Sequence, residues 1–172
     1  ILEIATAAGT VNALIGGQAA DLENEGKSVT AETVNYIHRS KTGAMIRASA
    51  VTGGIIAGAS DLQIERLGQY GNRIGLAFQI CDDILDVTST SEELGKTAGK
   101  DAEQSKPTYV SVLGAHAARA WSLRLRAQGL QLGRQGLAVV GLTNAASFAA
   151  DCEVLRHGSG ELVSLAEATL AG

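Results

Sequence analysis

A single proline, Pro107, interrupts 172 residues. The long windows on either side are rich in alanine, leucine and glutamate, which lose little on entering a helix. Only six side chains are aromatic, too few for the strands of an all-β sandwich. The chain is therefore expected to be all-α, a bundle of long helices. Its 21 glycines qualify that picture. Each costs a helix about 0.5–1 kcal/mol relative to alanine, so their number predicts helix backbones that approach closely. A hydrophobic fraction of 45% is enough for a real core. The length fits one domain or a large piece of one, read here as a single partial domain over 1–172 with an atypical tail at 158–172.

Residues 1–25 read as one helix, with Ile4, Ala8, Val11, Ile15 and Ala19 as a stripe and Gln18 and Asp21 sharing a face. Thr30 is an expected N-cap, with Glu32 favourable in the first turn. That helix passes Val34, Ile37 and His38, continues or kinks at Lys41-Thr42-Gly43, and ends near Ala57. Ser60 is expected to cap a long helix over 61–87, with Leu62, Leu67, Ile74, Ala77, Cys81, Ile84 and Leu85 facing inward. A long charged loop over 88–106 carries Lys96, Lys100 and Lys106, and loops of that length are usually functional or disordered. Pro107 suits the first turn of a helix reaching Leu113. Further helices are expected over 115–128 and 137–155, and the tail from Gly158 is weakly patterned.

Charge and cysteine usage exclude several classes. With 14 Lys+Arg against 18 Asp+Glu the net charge is −4, which lacks the basic excess of a nucleic-acid-binding surface. Cys81 and Cys152 have neither metal-ligand spacing nor a disulfide framework, which suits a reducing compartment such as the cytoplasm. Both are read as small buried apolar residues. His38, His116 and His157 show no ligand spacing and are expected at the surface or partly buried. The uncharged runs 48–60 and 135–150 are shorter than the ~18–20 residues of a membrane span. The chain begins at Ile1 in helical pattern, without a basic leader or start methionine, and is read as lacking an N-terminal portion.

Chemistry concentrates in residues 75–86. Gln79, Asp82, Asp83 and Asp86 follow i, i+3, i+4, i+7 spacing and share one helical face. Asp82 and Asp86 repel at i, i+4, at a cost of roughly 0.2–0.5 kcal/mol. An oxygen-only cluster of this kind suits a hard cation such as Mg²⁺, which takes one or two carboxylates together with substrate phosphates. An exposed acidic helix face is an equally good reading of the aspartates alone. A glycosidase-like acid/base pair is possible in principle, but neighbouring helical carboxylates face the same way and do not flank a bond. Lysines in the following loop could neutralise a diphosphate from a second side, though each alone reads as a solvated basic residue. Lys41-Thr42 could serve a phosphate and its bridging oxygen.

Together these pieces resemble the trans-isoprenyl diphosphate synthases, the polyprenyl synthetase family. The matching residues are Gly17-Gln18-x-x-Asp21, then Ile37-His38-x-x-Lys41-Thr42-Gly43-Ala44, then Gly75-Leu76-Ala77-Phe78-Gln79-Ile80-x-Asp82-Asp83-Ile84-Leu85-Asp86. Leu94-Gly95-Lys96-x-x-Gly99-x-Asp101 and Lys106-x-Thr108-Tyr109 complete the set, and the wording of the former looks most like geranylgeranyl-type synthases. The resemblance spans about 14–130. It implies a Mg²⁺-dependent prenyltransferase that condenses an allylic diphosphate with isopentenyl diphosphate into a longer trans product of farnesyl or geranylgeranyl type. Asp82 would bind Mg²⁺, with Asp83 and Asp86 supporting it and its waters. Lys41 and Lys96 would hold the allylic diphosphate, and Lys106 would order the loop on closure. Thr42 and Gln18 would lie near the scissile bond, Phe78 and Gln79 would line the meeting point of the substrates, and Asp21 would orient the lysine side. The family also implies a homodimer, for which the small apolar stripe near the N-terminus is the candidate surface.

Two departures accompany the likeness. The chain carries one Asp-Asp-x-x-Asp motif, whereas the family has two, and the tail does not resemble the family's last helix. The expectation is that the 172 residues alone are inactive or nearly so. A non-catalytic binding subunit that keeps one diphosphate half-site is the alternative from another class. A class I terpene cyclase is weaker, because Lys41-Thr42 and the Lys96 loop fit chain elongation better.

Overall fold

The computed structural model describes residues 1–88 and 106–137. The expected loop lysines Lys96 and Lys100, the motif at 94–101, the helix over 137–155 beyond its first residue, Cys152, His157 and the tail lie outside them. Among the described residues every regular element is helical, as the composition requires. In chain order they are α1 (Leu2–Gly9), α2 (Leu14–Asn24), α3 (Ala31–His38), a π-helical segment (Arg39–Gly43), α4 (Ala44–Ile56), α5 (Asp61–Thr88), α6 (Tyr109–Leu113) and α7 (Ala115–Leu137).

The 28-residue α5 is the axis of the bundle. At 1.5 Å per residue it runs about 42 Å. It packs along α7 on one side and α4 on the other, while α1 lies on α4 and α2 lies on the π-helical segment. The core forms where α3, α5, α6 and α7 meet. Val34, Leu76, Ala77, Ile80, Ile84, Tyr109, Ala118 and Leu125 are buried there, with Trp121 packed against them. Leu67 faces inward as expected, but Leu62 is exposed.

Glycine sets the spacing on the α4 side. A Cβ built on Gly71 would lie 2.5 Å from Arg47 Cα, and one on Gly75 would lie 2.9 Å from Gly43 Cα. Those approaches admit no side chain, which is the close packing that the glycine count predicts.

Three boundaries differ from the sequence reading. Residues 1–25 are two helices, separated at Thr10–Ala13. The reason is tertiary: Tyr36 Oη, 25 residues away, donates to the Val11 carbonyl at 2.6 Å, and that oxygen is lost to the helical ladder. The stripe is correspondingly split, with Val11 75% and Ile15 62% exposed. The helix expected to stop near Gln128 instead runs on as α7 to Leu137, because Gly129 is a packing contact rather than an end. A Cβ there would lie 2.7 Å from Ile74 Cδ1. Pro107 precedes α6 instead of opening it. Thr108 is the N-cap, and its hydroxyl accepts from Ser111 N–H while Ser111 Oγ accepts from Thr108 N–H, both at 3.1 Å.

Candidate functional site

Thr30 caps α3 as expected, accepting from Thr33 N–H at 3.3 Å. From this start the helix runs without a stop into residues 39–43, where the ladder widens to π-helix. The expected kink is thus a one-residue bulge, a feature that recurs at functional sites. It carries Lys41 and Thr42, both half-buried. Gly17 of α2 lies directly beneath, and a Cβ on it would come 2.7 Å from Lys41 Cα. One turn further along α2, Asp21 is buried and its Oδ2 accepts from Lys41 Nζ at 2.7 Å. The orienting role expected of Asp21 thus has a direct geometric counterpart. Gln18 is half-buried on the same helix.

The three aspartates of α5 do not share one environment. Asp82 is half-buried, while Asp83 and Asp86 are buried. Asp83 Oδ2 accepts from His38 Nε2–H at 2.9 Å and from the Tyr109 backbone N–H at 2.8 Å. His38, expected at the surface or partly buried, is a buried partner of the aspartate helix. The signal available in the sequence was its i, i+3 spacing to Lys41, which sets both residues on one helical turn. The His38–Asp83 bond brings the end of α3, and with it the Lys41 segment, alongside the part of α5 that carries Asp82.

One turn before Asp82 stand Phe78, 43% exposed, and half-buried Gln79. Lys106 is half-buried, and with Lys27, Ser28, Thr108 and Asp83 it lines a cavity of about 590 Å³. Lys96 belongs to the residues outside the description.

Two further groups have shifted ionisation. Burial pushes the Cys81 thiol up, against a weaker opposing effect of the Ser122 hydroxyl 2.9 Å away, so this cysteine is a packing residue as expected. Burial, reinforced by the Asp83 charge, raises the Tyr109 phenol far above its ordinary range, with Arg39 opposing.

Oxygen donors are the type a hard divalent cation takes. Asp82 and Asp86 are one helical turn apart and offer oxygen only. Among the described residues no group of three His, Cys, Asp or Glu side chains converges into an all-protein cage. Mg²⁺ requires none, since it keeps waters and shares substrate phosphates. Among those residues, too, no helix is long and apolar enough to cross a membrane.

Residues 3–128 match the sequence profile of the Polyprenyl synthetase family. The chain is 50% identical over 106 residues to a geranylgeranyl diphosphate synthase of Cyanophora paradoxa, a match covering 61% of this chain and 35% of that protein. It is 43% identical over 132 residues to a chloroplastic geranylgeranyl pyrophosphate synthase of Capsicum annuum, covering 76% and 36%. The fold is similar to a crystal structure of a Helicobacter pylori geranyltransferase complexed with magnesium and isoprenyl diphosphate. There the TM-score is 0.67 and the identity 28%, over 95% of this chain and 50% of that one. The chain spans about a third of the length of the curated relatives it matches.

Proposed function

This chain belongs to the polyprenyl synthetase family, and from that premise we propose that it is part of a Mg²⁺-dependent trans-prenyltransferase. The substrates are an allylic diphosphate and isopentenyl diphosphate, and the product is a farnesyl or geranylgeranyl diphosphate. The observation that carries the reading is the Lys41–Asp21 pair at 2.7 Å, held on a π-helical bulge that the His38–Asp83 bond ties to the aspartate helix.

Each residue's task is the one that the family resemblance implies, and its chemistry suits it. When bound, Mg²⁺ neutralises diphosphate charge as the carbon–oxygen bond breaks. Asp82 would supply an oxygen ligand to it, with Asp83 and Asp86 supporting that ligand and its waters. Lys41 holds the allylic diphosphate from the other side, and Asp21 keeps its ammonium from turning away. Lys96 and Lys106 add positive charge against the leaving diphosphate. Thr42 and Gln18 offer oxygens to the allylic cation, Phe78 and Gln79 line the approach of the isopentenyl double bond, and the apolar helices exclude water from the cation. The exposed Val11 and Ile15 support a homodimer surface near α1 and α2. A cytoplasmic or plastid setting is part of the same reading.

A product assay on the complete protein tests this. Dimethylallyl and isopentenyl diphosphates with Mg²⁺ should give a C15 or C20 diphosphate by mass, and no elongation product would overturn the proposal. The 172-residue chain alone should be inactive or nearly so, since it holds one Asp-Asp-x-x-Asp motif. A complete protein that binds diphosphate without turnover would favour the non-catalytic subunit.

A further inference from the structure

Asp83 stands out among the three aspartates by what its oxygen already does. We propose that Asp83 is a positioning residue: its Oδ2 fixes the two lysine-bearing segments against α5. The inference rests on the prenyltransferase reading for its meaning, but its geometry is independent of it.

Asp83 is 5% exposed. Its Oδ2 receives two N–H donors from two other elements, His38 Nε2–H at 2.9 Å and Tyr109 N–H at 2.8 Å. A carboxylate buried this far persists only when hydrogen-bonded, and charge-assisted bonds of this type are about twice as strong as neutral ones. Both N–H donors fall on Oδ2, so that oxygen's lone pairs are committed to holding α3 and α6.

The donors are placed to matter. His38 closes α3 three residues before Lys41, and Tyr109 opens α6 three residues after Lys106. The Tyr109 N–H is one of the unpaired donors that begin any helix, so Asp83 anchors the chain three residues after Lys106, where α6 starts. Behind the clamp the Tyr109 ring meets Trp121 edge-on, with centroids 4.9 Å apart, and lies 5.4 Å from the His38 ring. Both sides of the joint are packed. One oxygen therefore ties the segments of Lys41 and of Lys106 to the turn of α5 that carries Asp82.

The test uses the complete protein and two readouts: amide hydrogen exchange at Tyr109, and Mg²⁺ affinity in the presence of inorganic pyrophosphate by calorimetry. Asp83→Ala should speed Tyr109 exchange at least roughly tenfold. Asp83→Asn keeps an acceptor oxygen without the charge. It should restore protection and hold Mg²⁺–pyrophosphate affinity within about threefold of the parent, and it also covers the case in which the alanine variant fails to fold. Asp82→Asn should weaken that affinity at least roughly tenfold and leave Tyr109 exchange unchanged. The proposal is overturned if Asp83→Asn loses Mg²⁺ affinity as Asp82→Asn does while Tyr109 stays protected. Unchanged Tyr109 exchange in Asp83→Ala overturns it as well. If Asp82→Asn leaves Mg²⁺ affinity intact, the metal assignment of the proposed function fails, and Tyr109 exchange still decides the clamp.

Discussion

Lys41 Nζ sits 2.7 Å from Asp21 Oδ2, with the carboxylate side chain 9% exposed and the lysine 32%. The anion is the buried partner and the cation the accessible one, so the pair presents a positive charge on a fixed negative base. An isolated pair this open stabilises a fold by roughly 1 kcal/mol or less. Its worth lies in orientation.

Asp21→Ala should therefore change function far more than stability. In the complete protein kcat/KM for the allylic diphosphate should fall roughly tenfold to a hundredfold, with Tm nearly unchanged. Steady-state kinetics beside a thermal melt would separate the two. A large Tm loss with parental kinetics would contradict the orienting role.

Asp82 offers the sharpest test of the metal assignment. Asp82→Ala should lower turnover by roughly 10²–10³-fold or more and leave the helical circular dichroism unaltered. Survival of full Mg²⁺-dependent turnover would remove Asp82 from the site.

Gly17→Ala sets two effects against each other. Alanine favours the helix by about 0.5–1 kcal/mol, but its Cβ would press on the Lys41 backbone, 2.7 Å from Cα. Overpacking against backbone costs about 1–3 kcal/mol, so the variant should be less stable by denaturant titration. A gain in stability would show that the bulge yields easily.

Tyr109 predicts the alkaline limb of stability. Its folded phenol lies above the ordinary range, chiefly through burial, so the folded state holds its proton more tightly than the unfolded chain. The contribution is fully present below the unfolded value of roughly 10. Above that pH it is lost by about 1.4 kcal/mol per pH unit until the folded group ionises. Tyr109→Phe should remove this slope. It should also cost little near neutrality, because the buried hydroxyl has no hydrogen-bond partner among the described residues. Equilibrium unfolding at pH 8 and pH 11 checks both statements.

How much of this was legible follows from the range of the forces involved. The start of α3 at Thr30 and the extent of α5, expected to Val87 and found to Thr88, rest on local capping and periodicity, and the sequence carries those directly. The break at Thr10–Ala13 depends on a hydroxyl from Tyr36, and the continuation through Gly129 depends on Ile74. Neither contact has a local trace. At the site, Lys41, Asp21 and the aspartates were legible as motifs. Spacing could group Asp82, Asp83 and Asp86 on one face, but it could not say that Asp83 turns toward donors 45 and 26 residues away.

The π-helical segment at Arg39–Gly43 has a consequence for how the site can vary. A π-bulge accommodates one residue more than a regular helical turn, and each helical residue turns the chain by about 100°. Removing one residue from 39–43 would leave an unbroken α-helix with well-formed hydrogen bonds. Lys41 and Thr42 could then no longer keep both Gly17 and Asp21 as neighbours while α4 stays seated on α5. A deletion there should give a protein that melts normally and does nothing, with the lysine facing the wrong way around an intact rod. Chain length at this one place works as an angular setting, which a search for lost side chains would overlook.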